Sequence, residues 1–217
     1  MRIAVLGTGS VGRAIAGRLD ELGHDVVVGT RETSVTLGKE EYSAWLGEHG
    51  GVSLATFADA ARDAELVVNA CAGTATLEVL DLVGADNLAG KVIVDISNPL
   101  DHSAGFPPTL SVKDTDSLGE QVQRSFPDAR VVKTLNTMNA AVMVHPESLA
   151  EATTVFVSGD DSGAKATVTD LLTSFGHTDV LDLGDITTAR GPEMYLPLWL
   201  RAMGALGTGA FNIRVVR

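Results

Sequence analysis

With a single cysteine, Cys71, the chain can form no internal disulfide, which matches a reducing compartment. It also lacks any uninterrupted apolar run near the length of a membrane span. The short apolar N-terminus meets glycines where a signal peptide would stay hydrophobic, so a cytoplasmic protein with no membrane partner is expected. Basic side chains are scarce, 16 against 28 acidic ones, and the net charge of −12 opposes broad contact with nucleic acid. Small molecules are the partners left. The five histidines (His24, His49, His102, His145 and His177) show no ligand spacing, so no metal site is expected, and there is no G-x-S-x-G elbow for a hydrolase.

What is present is an ordinary globular composition, 45% apolar and 20% charged over 217 residues, enough for one substantial core with or without a small appendage. Short β-branched runs alternate with helical patterns, which predicts an α/β fold with a mostly parallel, doubly wound sheet. Strands are expected at 2–7, 25–30, 52–56, 65–71, 91–97, 130–136, 153–159 and 179–184. Between the first two, Val11, Ile15, Leu19 and Leu22 share a helical face that Gly23 closes. The stretch 99–129 holds four of the seven prolines and reads as an extended connection across the sheet with one helix near 117–126. The division expected is 1–184 for the sheet domain and 185–217 for a C-terminal helical segment. Pro192 and Pro197 should interrupt that segment, and "GTGAFNIRVVR" could close it as a last strand.

Gly7, Gly9 and Gly12 fall at G-x-G-x-x-G spacing between a predicted strand and a predicted helix. That context predicts a dinucleotide site. The first glycine permits the turn, the second lets the pyrophosphate approach, and the third lets the helix pack closely. Thr8, Ser10 and Val11 would add backbone or hydroxyl contacts, and the helix N-terminus would face the phosphates. An NAD site ends its second strand in an acid that binds the ribose 2′-hydroxyl; here the strand ends Gly29-Thr30-Arg31. A hydroxyl and a guanidinium suit a 2′-phosphate, so NADP(H) is the expected cofactor. Glu32 would take the acidic role if the strand ran two residues further, and Lys39 either joins the phosphate site or stays a solvated lysine. Later strand ends should also face the ligand: Asn69, Ala70 and Cys71 beside the adenosine and pyrophosphate; Ser97, Asn98 and Pro99 beside the nicotinamide; then Asn136 and Thr137. For Cys71 the alternative is a small buried hydrophobe. His145, in "MVHPE", would either donate to an acceptor carbonyl or pack beside a loop. Tyr195, Leu196, Leu198, Trp199 and Met203 would line an acceptor pocket, the core or an interface.

Four stretches carry a family resemblance: "GTGSVGRAIAGRLDELGHDVVVGTR", "VDISNPL" at 94–100, "VVKTLNTMNA" at 131–140, and the pattern A-R-x-x-E-M-Y-L-P-L from Ala189. Together they make the chain resemble the coenzyme F420-dependent NADP oxidoreductases over nearly its whole length. Similar motifs occur in the NADPH-binding domain of the six-transmembrane metalloreductases. The resemblance implies a Rossmann domain binding NADP(H), with Thr30 and Arg31 at the 2′-phosphate, a C-terminal part that helps build the deazaflavin pocket, and a homodimer. Hydride would pass between the nicotinamide C4 and the deazaflavin C5 by positioning alone, with Asn98, Asn136, Thr137 and His145 as pocket candidates. The metalloreductases continue into a heme-carrying membrane domain that this sequence does not contain, so iron reduction by that route is not expected. The anionic tail of F420 would call for a basic patch, for which Arg190, Arg201, Arg214 and Arg217 are the C-terminal candidates. Two other readings fit the same residues: an NADPH-dependent reductase of a flavin or another small acceptor, and a non-enzymatic NADP(H)-sensing module.

Overall fold

The computed structural model describes all 217 residues. Its ten strands are β1 (Arg2–Leu6), β2 (Asp25–Thr30), β3 (Val52–Thr56), β4 (Leu66–Asn69), β5 (Val92–Asp95), β6 (Leu100–Asp101), β7 (Thr109–Leu110), β8 (Arg130–Thr134), β9 (Thr154–Ser158) and β10 (Asp179–Gly184). Eight of them form one sheet in the order β10-β9-β8-β5-β4-β1-β2-β3, while β6 and β7 make a separate hairpin. From β3 across to β8 all neighbours run parallel; β9 turns antiparallel to β8, and β10 follows β9. This is the doubly wound arrangement the alternation predicts.

The strands are apolar throughout because both faces are covered. Ile3 and Val5 point to one side, where they join Val26, Val28, Val68 and the helix residues Ile15 and Leu19. Ala4 and Leu6 point to the other, against Val27, Phe57, Leu80 and Val122. Period-two alternation of apolar residues thus feeds two cores rather than one.

The order of the chain across the sheet fixes where a ligand can sit. The strand order reverses between β1 and β4, and a crevice opens there beyond the carboxyl ends of the strands. Expected strands at 2–7, 65–71, 91–97 and 130–136 all prove shorter at these ends. Gly7, Ala70 and Ile96, just past the strand ends, border the crevice instead. Leu135 turns into the core with a positive φ of 59°, an uncommon backbone state for a leucine.

Two other expectations need correction. The tail from Gly207 is not a strand: it runs beside the start of β9, where Thr154 N–H donates to the Ile213 carbonyl (3.0 Å) and Val215 N–H donates to Thr154 Oγ1 (2.9 Å). β8 pairs with β9 only at Val157 and Ser158, so the start of that edge is open and the tail meets it at Thr154. The connection 99–129 is likewise more ordered than a crossing loop. It holds the β6–β7 hairpin, in which Leu100 faces Leu110, and then the helix Leu118–Ser125, whose N-terminus is capped by the Ser117 hydroxyl.

That helix carries an acid-sensitive clamp. Arg124 donates to both carboxylate oxygens of Asp116 (2.9 and 2.8 Å), and these bonds hold the Asp116 carboxyl down at about 2, from an ordinary 3.8. A carboxyl depressed on folding stabilises the protein above its unfolded value and loses that contribution as pH falls through its folded one. Thermal melts of wild type should therefore lose stability between about pH 4 and pH 2, and Arg124→Ala should show a flatter curve in that window. Parallel curves would remove the clamp from the account.

Candidate functional site

The helix Ser10–Glu21 begins at Gly9 with no side-chain cap, so its first N–H groups are open to a ligand. Each glycine of the triplet has its own geometric reason. Gly7 has φ +118°, and a Cβ there would stand 2.9 Å from the Ala70 carbonyl oxygen. A Cβ on Gly12 would meet the Gly7 carbonyl oxygen at 2.0 Å. One on Gly9 would meet nothing within 4 Å; it would project into open space at the mouth of the turn. An uncapped helix end facing a cradle kept clear of side chains fits a pyrophosphate.

Around it lies a cleft of about 560 Å³, lined by Gly7, Thr8, Gly9, Thr30, Arg31 and Lys39 among others. Thr30 is buried, and its hydroxyl lies 2.7 Å from that of Thr36. Arg31 is largely exposed and reaches Glu78 at 2.8 Å. Glu32 also borders the cleft, with its carboxylate accepting from Ser34 Oγ (2.7 Å). Two cations, a guanidinium and an ammonium, thus border the same cleft as the glycine turn.

A second cavity of about 350 Å³ lies on the other side of the β4 exit. Its strand-end wall holds Ser97, Asn98 and Asn136, and its opposite wall is apolar, with Leu196, Trp199 and Leu200 from the helix Leu196–Leu206. Asn98 and Asn136 fix each other: Asn98 Nδ2 donates to the Asn136 carbonyl (3.0 Å) and Asn136 Nδ2 donates to Asn98 Oδ1 (2.9 Å). Ser10 and Val11 reach this cavity from the helix start, and Ala70, Cys71 and Ala72 border both spaces. Burial pushes the Cys71 thiol up to about 12, with Asp95 adding to the shift and Arg31 opposing it. The thiol is neutral and donates to the Leu6 carbonyl (3.3 Å).

Behind the strand-end wall is a cluster the sequence reading did not find. Lys133 in β8, with no exposed side-chain surface, bonds Asp95 (2.9 Å) and Glu193 (2.8 Å), and its third proton goes to the Ser97 carbonyl. Burial alone would push the ammonium down, but the two carboxylates outweigh it and hold the group above its ordinary value. A lysine inside an otherwise apolar central strand is the one signal that could have exposed it, because such a charge must be paired.

Of the sequence-derived candidates, Gly7, Thr8, Gly9, Thr30 and Arg31 line the first space, Ser10, Val11, Ser97, Asn98 and Asn136 the second, and Ala70 and Cys71 both. Gly12, Asn69, Pro99, Thr137 and His145 line neither. Gly12 packs the helix against the turn. Asn69 is fully buried and donates to Asp95 (2.8 Å); Thr137 is also buried. Pro99 opens the hairpin, its carbonyl accepting from Ser111 N–H (2.8 Å). His145 instead pairs with Glu147 (3.0 Å) past the end of the helix Ala140–Val144. Tyr195, Leu198 and Met203 also stay out of the cavity, and Leu198 is exposed. Arg190, Arg214 and Arg217 are engaged by Glu120, Glu151 and Asp179, so they form no basic patch at the cavity; Arg201 is exposed on the helix that carries the apolar wall. His102, Met138, Asn139 and Met143 also line the cavity and were not anticipated.

Comparison with known proteins places these features. A family model described as NADP oxidoreductase coenzyme F420-dependent matches residues 2–99. The F420-dependent NADP reductase of Methanothermobacter marburgensis is 26% identical over 204 residues, covering 91% of this chain and 90% of that protein. Metalloreductase STEAP3 of Rattus norvegicus is 30% identical over 203 residues; the match covers 91% of this chain but only 38% of the length of that protein. A crystal structure at 1.70 Å of an Arthrobacter sp. FB24 protein, provisionally named an F420-dependent NADP reductase, superposes with a TM-score of 0.99 at 60% identity over the full length of both chains. With that identity sustained from end to end, the chain belongs to the family of coenzyme F420-dependent NADP oxidoreductases.

Proposed function

We propose that this protein transfers hydride between NADP(H) and coenzyme F420, holding the nucleotide along the first cleft with its nicotinamide end reaching into the second cavity, where the deazaflavin ring would lie against the apolar wall. The observation that carries the reading is the shared border Ala70–Ala72, which joins the two spaces end to end. A dinucleotide would be held with its pyrophosphate at the helix N-terminus, its 2′-phosphate by Arg31 and Lys39 and its nicotinamide by Ser97, Asn98 and Asn136. When bound, the nicotinamide supplies or takes the hydride.

The chain's own residues bind, orient and exclude water. Backbone N–H groups at Ser10 and Val11 would meet the phosphates, the Asn98–Asn136 pair offers a polar edge, and Leu196, Trp199 and Leu200 would set an apolar wall against the acceptor ring. No acid or base is required, since holding two rings in a reactive arrangement can supply about 7–11 kcal/mol of the barrier. His145, outside both spaces, has no part in this, and the exposed Arg201 is the C-terminal cation best placed for the acceptor's anionic tail. The division at 184/185 follows the same logic, with the nucleotide held by 1–184 and the apolar wall supplied by 185–217. The protein is read as a cytoplasmic homodimer, supported by exposed Leu198 and Leu206 on the final helix; no helix is long and apolar enough to cross a membrane.

The test is direct. Mixing NADPH and oxidised F420 with the protein should bleach the visible absorbance of F420 with turnover, and NADH should serve poorly. Reduction of a free flavin with no change in F420, or tight NADPH binding with no acceptor reduced, would replace this reading with one of the two alternatives.

A further inference from the structure

We infer that Lys133 is a positioning residue for hydride transfer: its buried ammonium ties the apolar helical wall of the second cavity to the strand-end wall, and so sets the gap in which two rings must meet. This rests on the function proposed above.

The geometry leaves the ammonium no slack. A lysine has three N–H donors, and here the three acceptors are Asp95 Oδ2, the Ser97 carbonyl and Glu193 Oε1. Two of these belong to the strand-end wall. Asp95 ends β5, and its other oxygen, Oδ1, accepts from Ser97 Oγ (2.7 Å), Ser97 N–H (3.1 Å) and Asn69 Nδ2 (2.8 Å). Asn69 in turn accepts from Cys71 N–H (3.3 Å), on the border common to both spaces. The third acceptor stands just ahead of the opposite wall, on the short helix Arg190–Met194. Glu193 lies three residues before Leu196, and its carboxylate also accepts from Leu118 N–H (2.8 Å) and Gly119 N–H (3.0 Å) at the start of the helix Leu118–Ser125. One ammonium is therefore bonded to Ser97 of one wall and to the segment that leads into the other, and every group it touches is buried.

A fully satisfied buried network is rigid, whereas three apolar side chains in the same volume would let one wall slide against the other. Misplacement of reacting groups by about 1 Å can cost on the order of a hundredfold in rate. The phosphate grip stands on β1 and the following helix, outside this network, so nucleotide affinity should not follow the rate.

The experiment compares wild type with Lys133→Met and with the triple variant D95N/K133M/E193Q, which removes all three charges and leaves no unpaired ion inside. Three quantities are measured: NADPH affinity by fluorescence titration, single-turnover hydride transfer to F420, and the isotope effect with NADPH deuterated at C4. Both variants should keep NADPH affinity, lose transfer rate on the order of a hundredfold, and show a larger isotope effect as transfer comes to limit turnover. A folded variant with wild-type rate and isotope effect would overturn the inference. So would parallel loss of affinity and rate, or failure of both variants to fold, either of which makes the cluster part of the folding core alone. Absence of F420 reduction by wild type would instead overturn the functional reading beneath it.

Discussion

Gly9→Ala is expected to fold like wild type and to bind NADPH at least tenfold more weakly, whereas Gly12→Ala should lose both binding and stability. The contrast comes from where each new methyl would go. At position 9 it enters open space with no protein atom within 4 Å, so the native chain accommodates it; the displaced party is the phosphate. Losing one charge-assisted hydrogen bond costs about 1.5–3 kcal/mol, which is about tenfold to a hundredfold in affinity. At position 12 the methyl meets a backbone oxygen at 2.0 Å, and neither the turn nor the helix can yield without separating from the other. Overpacking of this kind costs about 1–3 kcal/mol or more, and it drags the helix N–H groups away from the ligand as well. Thermal melts beside NADPH titrations separate the two. A Gly9→Ala protein that binds normally would show that the pyrophosphate does not lie over this turn.

Arg31→Ala is expected to weaken NADPH about tenfold to a hundredfold and to leave NADH within a factor of about two, so that the preference for the phosphorylated nucleotide largely disappears. In the free protein Arg31 reaches Glu78 at 2.8 Å, with both side chains mostly in solvent. An exposed pair of this kind contributes only about 0–1 kcal/mol, so a phosphate dianion displaces Glu78 readily. The same comparison predicts that Glu78→Gln binds NADPH as well as or better than wild type. Equal weakening of both nucleotides by Arg31→Ala would place the guanidinium somewhere other than at the 2′-phosphate.

Much of this was legible in the chain because short-range rules govern it. Short apolar runs closed by glycine, such as Ile3–Leu6, read as strands covered on both faces, and glycines at 7, 9 and 12 between a strand and a helix specify a turn stripped of side chains. The second cavity was less legible, since its walls come from residues far apart in sequence: Ser97 and Asn98, Asn136, and Leu196 to Leu200. The hairpin after Pro99 escaped notice because each of its strands is two residues long, too short for any period to show. Most instructive is the Lys133 cluster. The stretches VDISNPL, VVKTLNTMNA and A-R-x-x-E-M each carry one of its charges, yet nothing in their spacing says that Asp95, Lys133 and Glu193 meet. Partners in a buried ion cluster are chosen by the tertiary fold, and a sequence shows only that each charge lies in apolar company. His145 is the reverse case, a histidine beside a proline that looks chemically available but lies past the end of a short helix, paired with Glu147.

The central claim is that two rings meet inside the second cavity, just past the border at Ala70–Ala72, and that hydride crosses without an intermediary. The most direct measurement follows deuterium from NADPH labelled stereospecifically at C4, using mass spectrometry of reduced F420 and of the solvent. The account predicts that one of the two C4 labels arrives at C5 of F420 intact, with none released to water. Label appearing in solvent, or F420 reduced without it, would contradict the claim.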